Sequence, residues 1–259
     1  MTRVLLTMHA EWTKQRTVAG PGLLLLAAVV GTVALGAAAS AAVSCPGAGC
    51  TADPTKTSLT GVLLGQAVIA LLAVLTVGSE YSTGMIGSTL IATPKRWVVL
   101  AAKAVTLTGP VLVAGIFAVL GSLVMGVVFQ PDRAGGAREQ GLTLGDALSL
   151  RAAAGSVLYL ALIALFSLGV ATSVRSSAVA IGIVLGLLYV FPILAAVITN
   201  PDWQRHLKQI APSIAGLAIQ ATANLDDLPI SPWAGLGVLG LWAAGALVLG
   251  GIALELRDT

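Results

Sequence analysis

The chain has 259 residues, 57% of them hydrophobic and 10% charged, with a net charge of +3 and a mean hydropathy of +0.95. Soluble domains carry about 25% charged residues, so this composition excludes an ordinary soluble enzyme or binding domain. The apolar residues come in runs of about 20 instead of amphipathic stripes, which is the pattern of membrane spans.

The chain opens on "RVLLTMHAEWTKQR" (Arg3–Arg16), where Val4, Leu5, Met8 and Trp12 share one arc of a helical wheel and Arg3, Glu11 and Lys14 cluster opposite. The spacing predicts an interfacial helix anchored by Trp12, Lys14 and Arg16, its cations facing anionic lipid. A short cytosolic tail is the alternative. Six charge-free apolar runs follow: Leu23–Val43, Leu59–Val77, Ala104–Phe129, Ala152–Val174, Ala178–Ile198 and Trp233–Leu254. Each has about 19 residues or more, enough for roughly 30 Å of hydrocarbon at about 1.5 Å per residue. Lipid offers no hydrogen-bond partners, so the runs are expected to be helices. "AAASAAV" (Ala37–Val43) resembles a signal-peptidase site. The run before it is longer than the roughly 7–15 apolar residues of a secretory signal, so it is read as a span.

Between the first two runs lies "CPGAGC". An oxidising compartment would permit a bridge between Cys45 and Cys50, and two free thiols are the alternative. With no histidine nearby, the pair has poor zinc geometry. The next connection, "GSEYSTGMIGSTLIATPKRW" (Gly78–Trp97), is polar for so apolar a chain. Within it "EYSTGMIGSTLIA" predicts a short amphipathic helix, with Tyr81, Met85 and Ile86 or Leu90 along one side. Pro94 closes it, and Lys95, Arg96 and Lys103 are read as anchors at the headgroup boundary.

Pro110 and Pro192 predict kinks in the third and fifth spans. Gly182 and Gly186 form a GxxxG step, and Gly235, Gly237, Gly240 and Gly245 punctuate the last span; all are read as packing positions. In Thr199–Pro232, "QIAPSIAGLAIQATANL" sets Ile210, Ile214, Leu217 and Ala221 at helical spacing on a stretch too short to cross. That predicts one half-inserted or interfacial helix, ended by "DDLPISPW".

Lysines and arginines set orientation. With the N-terminus inside, eight cations and four acids face inward, against six cations and seven acids outward. The two long connections, Gln130–Arg151 and Thr199–Pro232, then lie outside. Both termini are expected in the cytoplasm.

Absences narrow the function. None of the six runs contains Asp, Glu, Lys, Arg or His, so proton coupling through the spans is a poor fit. The strongest polar group there is Gln66, supported by hydroxyls such as Thr106 and Tyr159, which in spans usually bond their own backbone. His9 and His206 both lie outside the runs, and there is no HExxH and no "GK" dipeptide. Metal-dependent proteolysis, an activated serine and a phosphate-binding loop all lack their residues. An enzyme is not expected, and energy for uphill transport would have to come from another chain.

Glu80–Lys103, "EYSTGMIGSTLIATPKRWVVLAAK", resembles the segment joining the second and third spans of ABC-2 type permeases. The matching positions are Glu80, Tyr81, Gly84, Ile86, Thr89, Leu90, Pro94, Arg96 and Lys103. "EWTKQRT" (Glu11–Thr17), "PWAGLGVL" (Pro232–Leu239) and the final "RD" (Arg257–Asp258) are similar to actinobacterial-type members. A cation common in the family at the position of Gly87 is missing here.

The resemblance implies an all-α integral membrane protein whose residues 1–259 form one ABC-2 type transmembrane domain without a nucleotide-binding domain. It would have six transmembrane helices, the N-terminal interfacial helix, a cytoplasmic coupling helix between spans two and three, and a re-entrant or interfacial outside helix between spans five and six. It implies the permease subunit of an exporter in the plasma membrane, paired with a second permease copy or paralogue. Separate ATP-binding subunits would bind ATP and Mg; no cofactor is expected in this chain, and no nucleic-acid partner. The coupling helix would meet the ATPase through Glu80, Tyr81, Gly84, Ile86, Thr89, Leu90, Pro94 and Arg96. Glu80 would pair with a cation on the ATPase, or merely cap the short helix. Cargo is expected to be hydrophobic or amphipathic: a drug, a lipid-like molecule or a peptide. The alternatives are a non-transporting scaffold or sensor partner, and an ion-coupled secondary carrier.

Overall fold

A computed structural model describes residues 10–13, 17–43, 53–84, 96–129 and 146–256. These residues form helices and irregular connections, with no strand among them. Six helical segments among them are long and apolar enough to cross a bilayer, as a multi-pass membrane protein requires. The first is α1 (Ala19–Ala42). The second is α2 (Pro54–Ser58), a single 3-10 turn and α3 (Val62–Ser82). The third is α4 (Arg96–Phe129) and the fourth α5 (Ala147–Val174). The fifth is α6 (Ser177–Leu185), a π-helical turn and α7 (Phe191–Val197). After two short helices, α8 (Pro201–Ile210) and α9 (Pro212–Leu217), the sixth is α10 (Pro232–Leu256).

The helices run past the apolar runs at several ends, so Glu80, Arg96, Lys103 and Arg151 lie within helices. The core sits on α5. It packs against α3, α4 and α10, and buries Tyr159, Leu160, Ile163, Phe166 and Leu168. α1 leans on α3 and α4 through Ala28, Thr32, Gly36 and Ser40, a stripe of small residues spaced by four. A Cβ on Gly61 would stand 1.8 Å from the Thr32 carbonyl oxygen, and one on Gly36 2.3 Å from that of Ser58. The first two spans therefore touch backbone to backbone, where no larger side chain fits.

Not every glycine does this. Gly182, Gly186, Gly237, Gly240 and Gly245 would each carry a Cβ with no neighbour within 4 Å, so the GxxxG step of the fifth span makes no close contact within the chain. The tight positions of the last span are Gly235, against Ala215, Gly250, against Thr172 and Gly169, and Gly251, beneath the ring of Trp97.

The Thr199–Pro232 connection is not one helix. Ala211 is extended, with φ −63° and ψ 125°, because the ring of Pro212 disfavours helical geometry in the residue before it. Ile210 and Ile214 thus fall on two helices, and Ile210 is exposed while Ala215, Gly216, Ile219, Gln220 and Ala221 are buried. A Cβ on Gly155 would lie 2.0 Å from Ile219, and one on Gly235 2.0 Å from the Ala215 carbonyl. The glycines of α5 and α10 are the notches into which α9 and its following turn are set.

The fifth span shows how proline reshapes a helix. Pro192 has no N–H to give the carbonyl four residues back, and its ring crowds that carbonyl. The chain widens into the π-helical turn Gly186–Val190 just before it. The Leu188 carbonyl accepts instead from the Ser213 hydroxyl of α9 at 2.8 Å. Helix α4, in contrast, continues through Pro110.

Candidate functional site

Arg96 and Lys103 are seven residues apart on α4 and so share one face. Arg96 reaches the last turn of α10, donating to the carbonyls of Leu254 and, at 3.3 Å, Glu255. A guanidinium there satisfies carbonyls that the helix leaves open, at the negative end of its dipole. Lys103 lies two turns further along α4 and is buried. Its Nζ donates to Glu80 Oε1 of α3 at 2.6 Å and to Glu11 Oε2 at 2.9 Å. Each of the three residues is only 6% exposed. One ammonium therefore joins two carboxylates from distant parts of the chain, shielded from water.

Tyr81 follows Glu80 and packs in the same region. The Arg175 guanidinium lies over its ring at 5.7 Å, within the range of a cation–π contact. Arg175 occupies the left-handed region, φ 60°, at the C-terminal end of α5, where the chain turns into α6. Val77, Tyr81, Val99, Leu100, Lys103, Thr172 and Leu254 enclose a void of about 10 Å³ beside the ion cluster.

Glu80 and Tyr81 do not begin a separate short helix: they are the last turn of α3. That helix stops at Gly84, whose φ of 70° suits a residue without a Cβ, with Thr83 N–H donating to Ser79 O and Gly84 N–H to Tyr81 O. Glu80 binds a cation of its own chain. Lys103, read from the sequence as a headgroup anchor, is buried and pairs with both acids. Trp12 is 41% exposed. Ile86, Thr89, Leu90, Pro94 and Lys95 lie outside the described residues, as do Lys14, Arg16, Cys45 and Cys50.

At the opposite end of the bundle, Asp53 caps α2 by accepting from Lys56 N–H at 3.1 Å. The same carboxylate accepts from Thr222 N–H at 2.5 Å, the Thr222 hydroxyl at 2.7 Å and Ala223 N–H at 3.0 Å. Arg151 of α5 donates to the Ala221 carbonyl at 2.5 Å. Thr222 lies 169 residues from Asp53 in the chain, and nothing in the sequence near Asp53 links the two.

Between the two ends runs a polar seam. The Tyr159 hydroxyl donates to Gln66 Oε1, and that of Tyr189 to the Leu63 carbonyl. Gln220 Nε2 donates to Ser156 Oγ at 3.1 Å. Thr106 bonds back to Ala102 and Lys103 of its own helix, as expected of a span hydroxyl, whereas Tyr159 bridges two spans. No three His, Cys, Asp or Glu side chains among the described residues converge as a metal site would require. On the bundle's flank, Phe166, Ile183, Leu187, Leu241, Trp242 and Leu249 line an apolar groove of about 550 Å³. No protein-family model matches the chain, and no curated protein matches it either.

Proposed function

We propose that this chain is the permease subunit of an ATP-driven exporter of the ABC-2 type, set in the plasma membrane with both termini in the cytoplasm. It works with a second permease copy or paralogue and with separate ATP-binding subunits that hold ATP and Mg. The observation that carries the reading is the buried Glu11–Lys103–Glu80 cluster at the root of the 85–95 connection. That connection joins the end of α3 to the start of α4, and the cluster ties those two ends to each other and to residue 11. Breaking a buried ion pair costs roughly 3–5 kcal/mol. A push on the connection is therefore passed to the second and third spans and to the N-terminal segment together.

In this reading Ile86, Thr89, Leu90 and Pro94 make the contact with the ATPase. Glu80 and Lys103 act behind it, as transmission groups. The cargo is hydrophobic or amphipathic, in keeping with six apolar runs that contain no Asp, Glu, Lys, Arg or His.

The test is transport by the chain reconstituted with its ATP-binding subunit. Lys103→Met should reduce export at least tenfold, the effect of about 1.4 kcal/mol, while ATP hydrolysis continues. The neutral triple variant, Glu11→Gln, Glu80→Gln and Lys103→Met, removes the stranded charges and should assemble yet remain uncoupled. Full transport by both variants would remove the cluster from the coupling path.

A further inference from the structure

Only Arg175 and Ser176 separate α5 from α6. The turn is tight: Arg175 N–H donates to the Ala171 carbonyl at 3.2 Å, and the Ser176 carbonyl accepts from Ala180 N–H at 2.9 Å. Arg175 lies in the left-handed region, with φ 60° and ψ −1°. Glycine usually fills this place after a helix, because a Cβ there crowds the backbone. A long side chain kept there, against the preference of its backbone, marks a place where the side chain is used.

That use lies on α3. The Arg175 Cζ stands 5.7 Å from the centroid of the Tyr81 ring. Gly78 lies three residues before Tyr81 and so on the same side of α3. A Cβ on Gly78 would come to 1.9 Å from the Oγ and 2.9 Å from the Cβ of Ser177, the first residue of α6. The end of the second span therefore meets the turn between the fourth and fifth at two points. One is a cation on a ring, the other a glycine against a serine. Next to Tyr81, Glu80 pairs with Lys103 of the third span. One helical turn thus joins the second span, to which it belongs, to the third, fourth and fifth.

We propose that Arg175 is a positioning residue of the coupling path, holding the last turn of α3 against the turn between the fourth and fifth spans. A push on the 85–95 connection then moves all four spans together instead of the second and third alone. This rests on the ATP-driven reading and adds to it the route by which the fourth and fifth spans follow.

The experiment uses the full chain with its ATP-binding subunit in lipid nanodiscs, Cys45→Ser and Cys50→Ser throughout. Val105→Cys and Val179→Cys, at exposed positions of α4 and α6, carry nitroxides. Labelled chain is diluted with unlabelled chain, so that only distances within one chain are read. They are measured without nucleotide and after trapping with ATP, Mg and vanadate, with ATP hydrolysis followed in parallel. With Arg175 in place the 105–179 distance should be the same in both states, because the third and fifth spans move together. Arg175→Gly suits the left-handed backbone and should fold, yet trapping should shift the distance as the fifth span falls behind. Arg175→Lys, which keeps a cation for the ring, should restore the unshifted distance. Normal hydrolysis with the same distances in Arg175→Gly as with Arg175 in place would overturn the inference and leave the ATP-driven reading standing. A shift present in Arg175→Gly without nucleotide and unchanged by trapping would overturn it too, since the residue would then act only in the fold. A chain that brings no hydrolysing subunit would remove the ATP-driven reading and this inference with it.

Discussion

Lys103 faces two carboxylates, so truncating it does more than delete one pair. Lys103→Met leaves Glu11 and Glu80 side by side without their ammonium, in a place where charge is poorly solvated. Thermal unfolding in detergent should show a loss of roughly 3–5 kcal/mol; an unchanged midpoint would contradict the buried cluster. Glycines give a second contrast. Gly235→Ala forces a Cβ to within 2.0 Å of the Ala215 carbonyl and should lower the yield of folded protein. Gly240→Ala meets nothing within 4 Å and should be neutral or stabilising by up to about 1 kcal/mol. The side chains that matter at this scale were legible as types and not as pairs. Glu80 and Lys103 stood out as charges at span ends, but Glu11 is 92 residues from Lys103, and no periodicity links them. Glycine spacing in α10 likewise marks candidate contacts without saying which face of the helix meets a neighbour.

The elements show the same division. Apolar runs located all six spans, because hydropathy reports where lipid is. The helices nevertheless extend past them at Glu80, Arg96, Lys103 and Arg151, since a helix goes on beyond the hydrocarbon until a residue such as Gly84 stops it. The pattern of Ile210, Ile214, Leu217 and Ala221 predicted one helix, and the residue before Pro212 broke it. Ser213 offers a test of how α9 is held. Ser213→Ala would leave the Leu188 carbonyl without its 2.8 Å donor next to Pro192, at a cost of about 1–3 kcal/mol. Thr108→Ala removes only a bond to its own helix and should change the unfolding midpoint little. At the other end of the second span, Asp53→Ala removes the α2 cap, worth about 1 kcal/mol, and also frees Thr222 and Ala223. Limited proteolysis should then cut faster near residue 222. Equal cutting rates would show that the Asp53 tie does not hold the segment.

At the scale of the whole molecule, a central helix α5 is gripped at each end by a different polar device. At one end Lys103 joins α3, α4 and residue 11, while Arg96 joins α4 to α10 and Arg175 covers Tyr81. At the other, Asp53 and Arg151 fasten the start of the second and fourth spans to the segment behind α9. Spans of low charge between two such devices suit a body that rocks as a unit. The chain supplies no phosphate-binding loop of its own, so the proposed export needs a motor on another polypeptide. The most direct measurement is a mild-detergent purification of the tagged chain from its native membranes, with co-purifying proteins identified by mass. The proposal predicts a stoichiometric soluble subunit carrying a GxxxxGK[ST] loop, released when residues 85–95 are replaced by a glycine–serine linker of equal length. Recovery of the chain with no such subunit, even after crosslinking, would contradict it.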